Sequence, residues 1–225
     1  MANLAQLKVL ENLNGYLLVD KPVGIAFSTV VKTVKRKFNL VKVGHGGSLD
    51  TMASGLFVIL VGDANKFVDR VMGADRTYSG VLRFGETTDT GDRYGRPAPL
   101  PDPVMPLADA KGDVFQTEPR FCAIRRDGAA DYEVVDTGDH TQFLSHVYRI
   151  DVAEGADNEK AFTLTASKSL LPRALAIDLG ATLMSLRREK VGKFDVKDAI
   201  PFAKLLETEL KDFPSVVMPL SKALA

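Results

Sequence analysis

Six consecutive apolar residues, Leu56 to Val61, stand between Gly55 and Gly62 and predict a short strand buried on both faces. Tyr16 to Val19 in GYLLVDKPVG predict a second, closed by a turn that Pro22 and Gly24 favour. Strict alternation in RTYSGVLRFG places Tyr78, Gly80, Leu82 and Phe84 on one strand face, and SHVYRIDVA and KAFTLTAS predict a pair of adjacent antiparallel strands. Helical spacing recurs at Val30, Val31, Val34 and Phe38, with Ser28 as the expected N-cap and Lys32, Lys35, Arg36 and Lys37 turned outward. DANKFVDRVMG predicts a helix with Asp63 near its start and Gly73 past its end. Another opens at Pro172 and closes at Gly180, with Leu175 and Leu179 on one face and Arg173 near its start. The last third predicts a short strand, a turn and an amphipathic helix.

Between these segments, five prolines from Pro97 to Pro106 predict an irregular excursion, and RRDGAADYEVVDTGDH a mobile surface loop, both within 97–146. No repeat or low-complexity linker divides the chain, so the expectation is one α+β domain over residues 1–225.

Composition narrows the function classes. Lys plus Arg and Asp plus Glu each number 29, so net charge alone does not point to a polyanion. The charges are nonetheless segregated: Lys32, Lys35, Arg36, Lys37 and Lys42 cluster, while the acids collect in GETTDTGD and DYEVVDTGDH, a modest pointer to a polyanionic partner. A single cysteine, Cys122, and three histidines leave no intrachain disulfide and no zinc spacing, so a reducing compartment and no metal are expected. Without a signal-like start or a membrane-length apolar run, a cytoplasmic chain is expected.

The chemistry concentrates in VGHGGSLDTMASG, Val43 to Gly55. It has neither the Lys and Ser/Thr of a Walker A loop nor G-x-G-x-x-G spacing, so a phosphate cradle is the weaker reading. Its glycines allow the backbone a positive φ or let a ligand approach closely, and Asp50 is either a carboxylate held at the rim of a sheet or the cap of a turn. His45 beside the glycines and Tyr78 on its strand each have an equally ordinary packing role. Arg173, among apolar neighbours, requires a buried anion, for which Asp50 is one candidate.

Taken together, GYLLVDKPVGIAFSTVVKTVKRKF, KVGHGGSLDTMASGLFVILVGDANKF, ADRTYSGVLRFGETTDTGDRYG, EPRFCAIRRDGAADYE, SKSLLPRALAIDLG and LRREKVGKFDVKDA resemble, in order, the TruB family of tRNA pseudouridine synthases. The resemblance implies a mixed, mostly antiparallel sheet flanked by helices with an RNA-binding cleft across it. It implies isomerisation of the T-loop uridine of tRNA by a monomer needing no cofactor, membrane or obligate protein partner. A diverged relative that only grips and refolds tRNA is the alternative. By position, Asp50 matches the catalytic aspartate, Tyr78 the tyrosine that stacks on the target base, and Arg173 the arginine paired with the aspartate. His45 matches the histidine that accommodates the extruded nucleotide, Leu186 an apolar contact to the base, and Lys21, Lys32, Lys35 and Arg36 are further expected substrate contacts.

The chain also departs from the family pattern. SKSLLPR stands where SKGTYIR is usual, so Ser169 replaces a glycine and Leu171 a substrate-contacting tyrosine, while Gly46 and Thr51 replace other residues of the aspartate loop. The small C-terminal PUA-like RNA-binding module of many bacterial members is not expected within these 225 residues.

Overall fold

The computed structural model describes residues 12–117, 124–126, 129–131, 142–153 and 158–221, with the backbone alone for 124–126 and 129–131. In chain order it forms β1 (Gly15–Lys21), α1 (Phe27–Lys37), β2 (Val43–His45), β3 (Ser54–Val61), α2 (Val68–Met72), β4 (Arg76–Phe84), β5 (Thr87–Thr88) and β6 (Pro97–Ala98). There follow β7 (Gly112–Thr117), β8 (Ile124–Arg126), β9 (Ala129–Asp131), β10 (Gln142–Val152), β11 (Glu159–Ala166), α3 (Pro172–Asp178) and β12 (Ala181–Val191). β13 (Phe194–Asp195), β14 (Ile200–Pro201), α4 (Phe202–Glu207), α5 (Phe213–Val216) and β15 (Met218–Pro219) close the described chain. The elements fall into two compact units, residues 1–74 with 188–225, and residues 75–187.

The first unit is built on β1 and β3, antiparallel over their whole length from Gly15↔Val61 to Lys21↔Gly55. β2 lies along the other edge of β3, and the short β14 and β15 flank β1. The uninterrupted apolar run of β3 is needed because both its faces are covered. Leu56, Val58 and Leu60 join Tyr16, Leu18, Ala64, Val71, Val191 and Phe194 in one cluster, while Phe57, Ile59 and Val61 are equally buried. α1 buries Val30 and Val34, and Phe38 just past its end stacks on Phe213 with ring centres 3.8 Å apart.

The helix expected to be capped by Ser28 starts two residues earlier, with Ala26 at the N-cap, and draws Phe27 in to pack against His45 and Phe57. The helix expected from Asp63 divides into a tight 3-10 stretch, Gly62–Phe67, followed by α2. Asn65 Nδ2 donates to the carbonyls of Leu60 and Gly62, and Asp63 N–H donates to Asn14 Oδ1, side-chain bonds that compete with the α-helical pattern. At the C-terminal end the expected amphipathic helix is α4 and α5 in succession. Pro214, in the first turn of α5, cannot continue a preceding helix.

The second unit is an antiparallel series in which β4 pairs with β11, β11 with β10 and β10 with the edge strand β7, while β12 borders β4. The adjacent pair expected from SHVYRIDVA and KAFTLTAS is β10 and β11. Leu82 and Tyr78 are buried on one face of β4, and α3 runs from Pro172 to a turn at Gly180, whose φ is +62°. The expected surface loop Arg125–His140 and Cys122 lie largely outside the described residues, apart from the β8–β9 ladder. No helix among the described residues is long and apolar enough to cross a membrane.

Two glycines of the aspartate loop have a packing cause and not a ligand-clearing one. A Cβ at Gly44 would collide with the Asn65 side chain, and one at Gly46 with Val71 Cγ1, with Val58 Cβ at 3.3 Å. The space expected for a ligand at these positions is filled by the protein. Gly46→Ala should therefore cost about 1–3 kcal/mol in urea unfolding. Combined with Val71→Ala, it should cost less than the sum of the single changes by about 0.5 kcal/mol or more; strict additivity would contradict the packing account.

Candidate active site

In the first unit the loop from β2 to β3 carries Asp50 at a rigid turn. Gly46 N–H donates to Val58 O at 2.9 Å, and Ala53 N–H closes the turn onto Asp50 O at 3.1 Å. Leu49, Met52 and Ala53 are buried, plugging the loop into the core, whereas Asp50 stays half-buried and Ser48 exposed. Gly24 N–H donates to Thr51 O at 2.8 Å, tying the turn after β1 to the same loop.

Two buried cations hold this arrangement. Arg188, 1% exposed on β12, donates Nε to Leu56 O and a terminal nitrogen to Ser48 O, each at 2.8 Å, so one guanidinium brackets both ends of the segment carrying Asp50. Lys21, 0% exposed at the end of β1, donates Nζ to Pro22 O and Ile25 O at 2.9 Å each and fixes the turn leading to α1. Carbonyl partners offset part of the cost of burying these charges. Burial pushes the Lys21 ammonium down to about 8, with the Asp50 carboxylate opposing that shift and Arg188 adding to it. Asp50 therefore lies within the electrostatic reach of Lys21.

His45, at the end of β2, sits in an aromatic group, 5.1 Å from the Phe27 ring centre and 5.8 Å from that of Phe57. On α1, Lys32, Lys35, Arg36 and Lys37 are all exposed and form no ion pair among the described residues. Three of them occupy the last turn, where cations also favour the helix dipole.

The second unit holds Tyr78, Leu171, Arg173 and Leu186. Tyr78 lies on β4 opposite Leu164 and is 5% exposed; Leu186 on β12 is also buried. Arg173, in the first turn of α3, is 7% exposed; it donates a terminal nitrogen to Thr90 O at 2.9 Å, and its Nε stands 3.9 Å from Asp92 Oδ2. Asp92 is itself buried and accepts from Thr90 Oγ and Tyr94 N–H at 3.0 and 2.9 Å. Its turn is strapped to β12, with Leu183 N–H donating to Gly91 O and Arg93 N–H to Leu183 O, both at 3.1 Å. Gly91, at φ +72°, lets that turn approach the Arg173 carbonyl and Ile177 more closely than a side chain would permit.

An anion for the buried arginine is thus supplied by a residue that sequence reasoning assigned only to an acidic turn. Its signal was the pair of flanking glycines, Gly91 and Gly95, which mark a close-packed turn. Arg188 also went unrecognised, though the two-residue period of a strand places it on the same face as the buried Leu186. Among the described residues no three His, Cys, Asp or Glu side chains converge as metal ligands.

Comparison with solved structures identifies the fold class. The chain is similar to one in a Cbf5–Nop10–Gar1 complex, with a TM-score of 0.68 at 21% identity over 96% of this chain and 63% of the other. It is similar to one in an H/ACA RNP bound to a substrate RNA containing 2′-deoxyuridine, with a TM-score of 0.67 at 22% identity over 96% and 62%. This chain therefore spans just under two thirds of the length of those chains, and its fold is the pseudouridine synthase fold.

Sequence comparison narrows the class. The TruB family pseudouridylate synthase N-terminal domain matches residues 35–170. A tRNA pseudouridine synthase B of Aromatoleum aromaticum is 34% identical over 85% of this chain and 68% of its own length, and one of Bordetella avium 32% identical over 93% and 97%. The chain belongs to the TruB family.

The state of Lys21 makes a testable pH signature. Its pKa is lowered from 10.5 to about 8 in the folded chain, so below that range it is charged in both states and its burial opposes folding. Between about 8 and 10.5 the unfolded chain holds more protons at this site, so its contribution to stability rises with pH. The stability difference between wild type and Lys21→Met should grow in favour of wild type across that window in urea unfolding; a flat difference would contradict this placement of the charge.

Proposed function

We propose that this protein isomerises a uridine in the T-loop of tRNA to pseudouridine. The observation that carries the reading is the Asp50 carboxylate, mounted on a turn whose backbone is bracketed by Arg188 and which lies in the field of Lys21. It has the support of family membership and of relatives named tRNA pseudouridine synthase B that match most of the chain. Those relatives also disfavour the alternative of a protein that binds tRNA without chemistry.

The reaction needs no net change of atoms. The bond from sugar C1′ to base N1 breaks, the base turns, and C1′ bonds to C5; C5 loses its proton and N1 gains one. The target must first be unstacked, at a cost of a few kcal/mol that an aromatic face can offset in part. In this reading Tyr78 supplies that face, Leu186 the apolar contact, and His45 with its aromatic neighbours accommodates the extruded nucleotide. Asp50 acts on the ribose or base as an ionised carboxylate, and Arg173, braced by Asp92, provides the positive charge of the second unit. Lys32, Lys35 and Arg36 meet the phosphates of the T-arm, and the protein acts in the cytoplasm as a monomer without a cofactor.

Asp50→Asn should lower single-turnover pseudouridine formation on a T-arm transcript by about a thousandfold or more, with RNA affinity within about threefold of wild type. An active Asp50→Asn would overturn the assignment. Replacing Lys32, Lys35 and Arg36 by Ala should reduce the slope of log affinity against log salt by about 1 for each phosphate no longer neutralised; an unchanged slope would remove α1 from the interface.

A further inference from the structure

The start of α3 lacks a cap of its own. Leu171 occupies the N-cap position with an apolar side chain, and Pro172 follows it. Its carbonyl accepts the first helical bond, from Leu175 N–H at 3.1 Å. A strand remote in sequence supplies what is missing. Gln116 on β7, 0% exposed, accepts Leu171 N–H on Oε1 at 3.0 Å and donates Nε2 to Leu171 O at 3.1 Å. The orientation of the amide follows, because only its oxygen can receive that N–H and only its nitrogen can serve that carbonyl. Ser145 Oγ, buried on β10, donates to the same Oε1 at 3.2 Å and fixes the amide from behind.

The residues just before Leu171 are held in the same way. Ser169 Oγ donates to Leu144 O at 3.2 Å and lies 3.1 Å from Ser167 Oγ, which accepts His146 N–H at 2.9 Å. Ser167 N–H in turn donates to His146 O at 2.8 Å. The departures at Ser169 and Leu171 therefore fall in a segment whose backbone is gripped from β7 and β10, and the added hydroxyl of Ser169 belongs to the grip.

We propose that Gln116 is a positioning residue for the reaction: by clasping both backbone polar groups of Leu171 it fixes where α3 begins, and with it where the Arg173 guanidinium meets Thr90 and Asp92. The proposal rests on the reading of Arg173 as part of the active site. Arg173 lies two residues beyond the clasp, and a misplacement of about 1 Å at a reacting centre can cost a hundredfold in rate. The clasp needs a donor and an acceptor on one planar group, which a glutamine offers and an ionised glutamate does not.

Two substitutions test this. Gln116→Met keeps length and removes the amide; it should lower the single-turnover rate about tenfold or more with RNA affinity within about twofold. Gln116→Glu should resemble it near pH 8 and recover toward wild type as the pH falls to about 6, because only the protonated carboxyl reproduces the donor and acceptor pair. Independently of catalysis, hydrogen exchange at Leu171 N–H should lose protection about tenfold in Gln116→Met while Phe162 and Leu164 on β11 keep theirs.

Wild-type exchange at Leu171 in Gln116→Met overturns the clasp, and lost protection with an unchanged rate overturns the positioning role. If wild type forms no pseudouridine, the functional reading fails separately. The Arg173 Nε–H resonance then decides the positioning role: displaced in Gln116→Met it supports it, unmoved it overturns it. Should that variant fold poorly, Ser145→Ala is expected to lose about threefold in rate, and an unchanged rate with unchanged exchange at Leu171 overturns the proposal.

Discussion

The Asp50 loop depends on a guanidinium that donates to the backbone on both sides of it. Arg188 reaches Ser48 O on one side of Asp50 and Leu56 O on the other, so the ends of the loop are fixed to a single planar group. A planar guanidinium presents several donors in a set geometry, whereas a lysine ammonium at that place would offer a point charge with freely turning donors. The interior of the loop then needs little regular structure of its own. Leu49, Met52 and Ala53 plug the core, and the turn from Asp50 O to Ala53 N–H leaves the carboxylate half-buried.

The same device recurs in the second unit with neutral chemistry. Gln116 grips Leu171 by its backbone, as Arg188 grips Ser48 and Leu56, and Leu183 straps the turn that brings Asp92 to Arg173. Groups on strands, the side chains of Arg188 and Gln116 and the backbone of Leu183, thus organise irregular segments by their main-chain groups. At Leu171 the grip is on the backbone and does not depend on the side chain, whereas at Ser169 the hydroxyl is itself part of the grip.

Much of the scaffold was legible in the chain. The apolar run of β3, the alternation of β4 and the antiparallel pairing of β10 with β11 follow from local pattern, because burial on one or two faces imposes its own period. The start of α1 and the 3-10 stretch before α2 were not, since contacts from elsewhere in the chain help to decide them, Phe27 with His45 and Asn14 with Asp63 among them, whereas Pro214, which separates α4 from α5, was a local signal left unread. For the site, Asp50 and Arg173 stood out as an acid on a glycine-rich loop and a cation among apolar neighbours. Asp92 and Gln116 did not, because their importance lies in partners 81 and 55 residues away in the chain. Glycine was the most misleading signal: at Gly44 and Gly46 the missing side chain makes room for Asn65 and Val71, not for a ligand.

The proposed reaction turns on a single chemical event, replacement of a bond to N1 by a bond to C5, which expels the hydrogen from C5. A tRNA transcript made with uridine tritiated at C5 reports that event directly when incubated with the purified protein. Tritium should pass to water up to one equivalent per tRNA, and the release should vanish when the T-loop uridine alone is replaced by cytidine. Saturable tRNA binding with no tritium release would contradict the assignment.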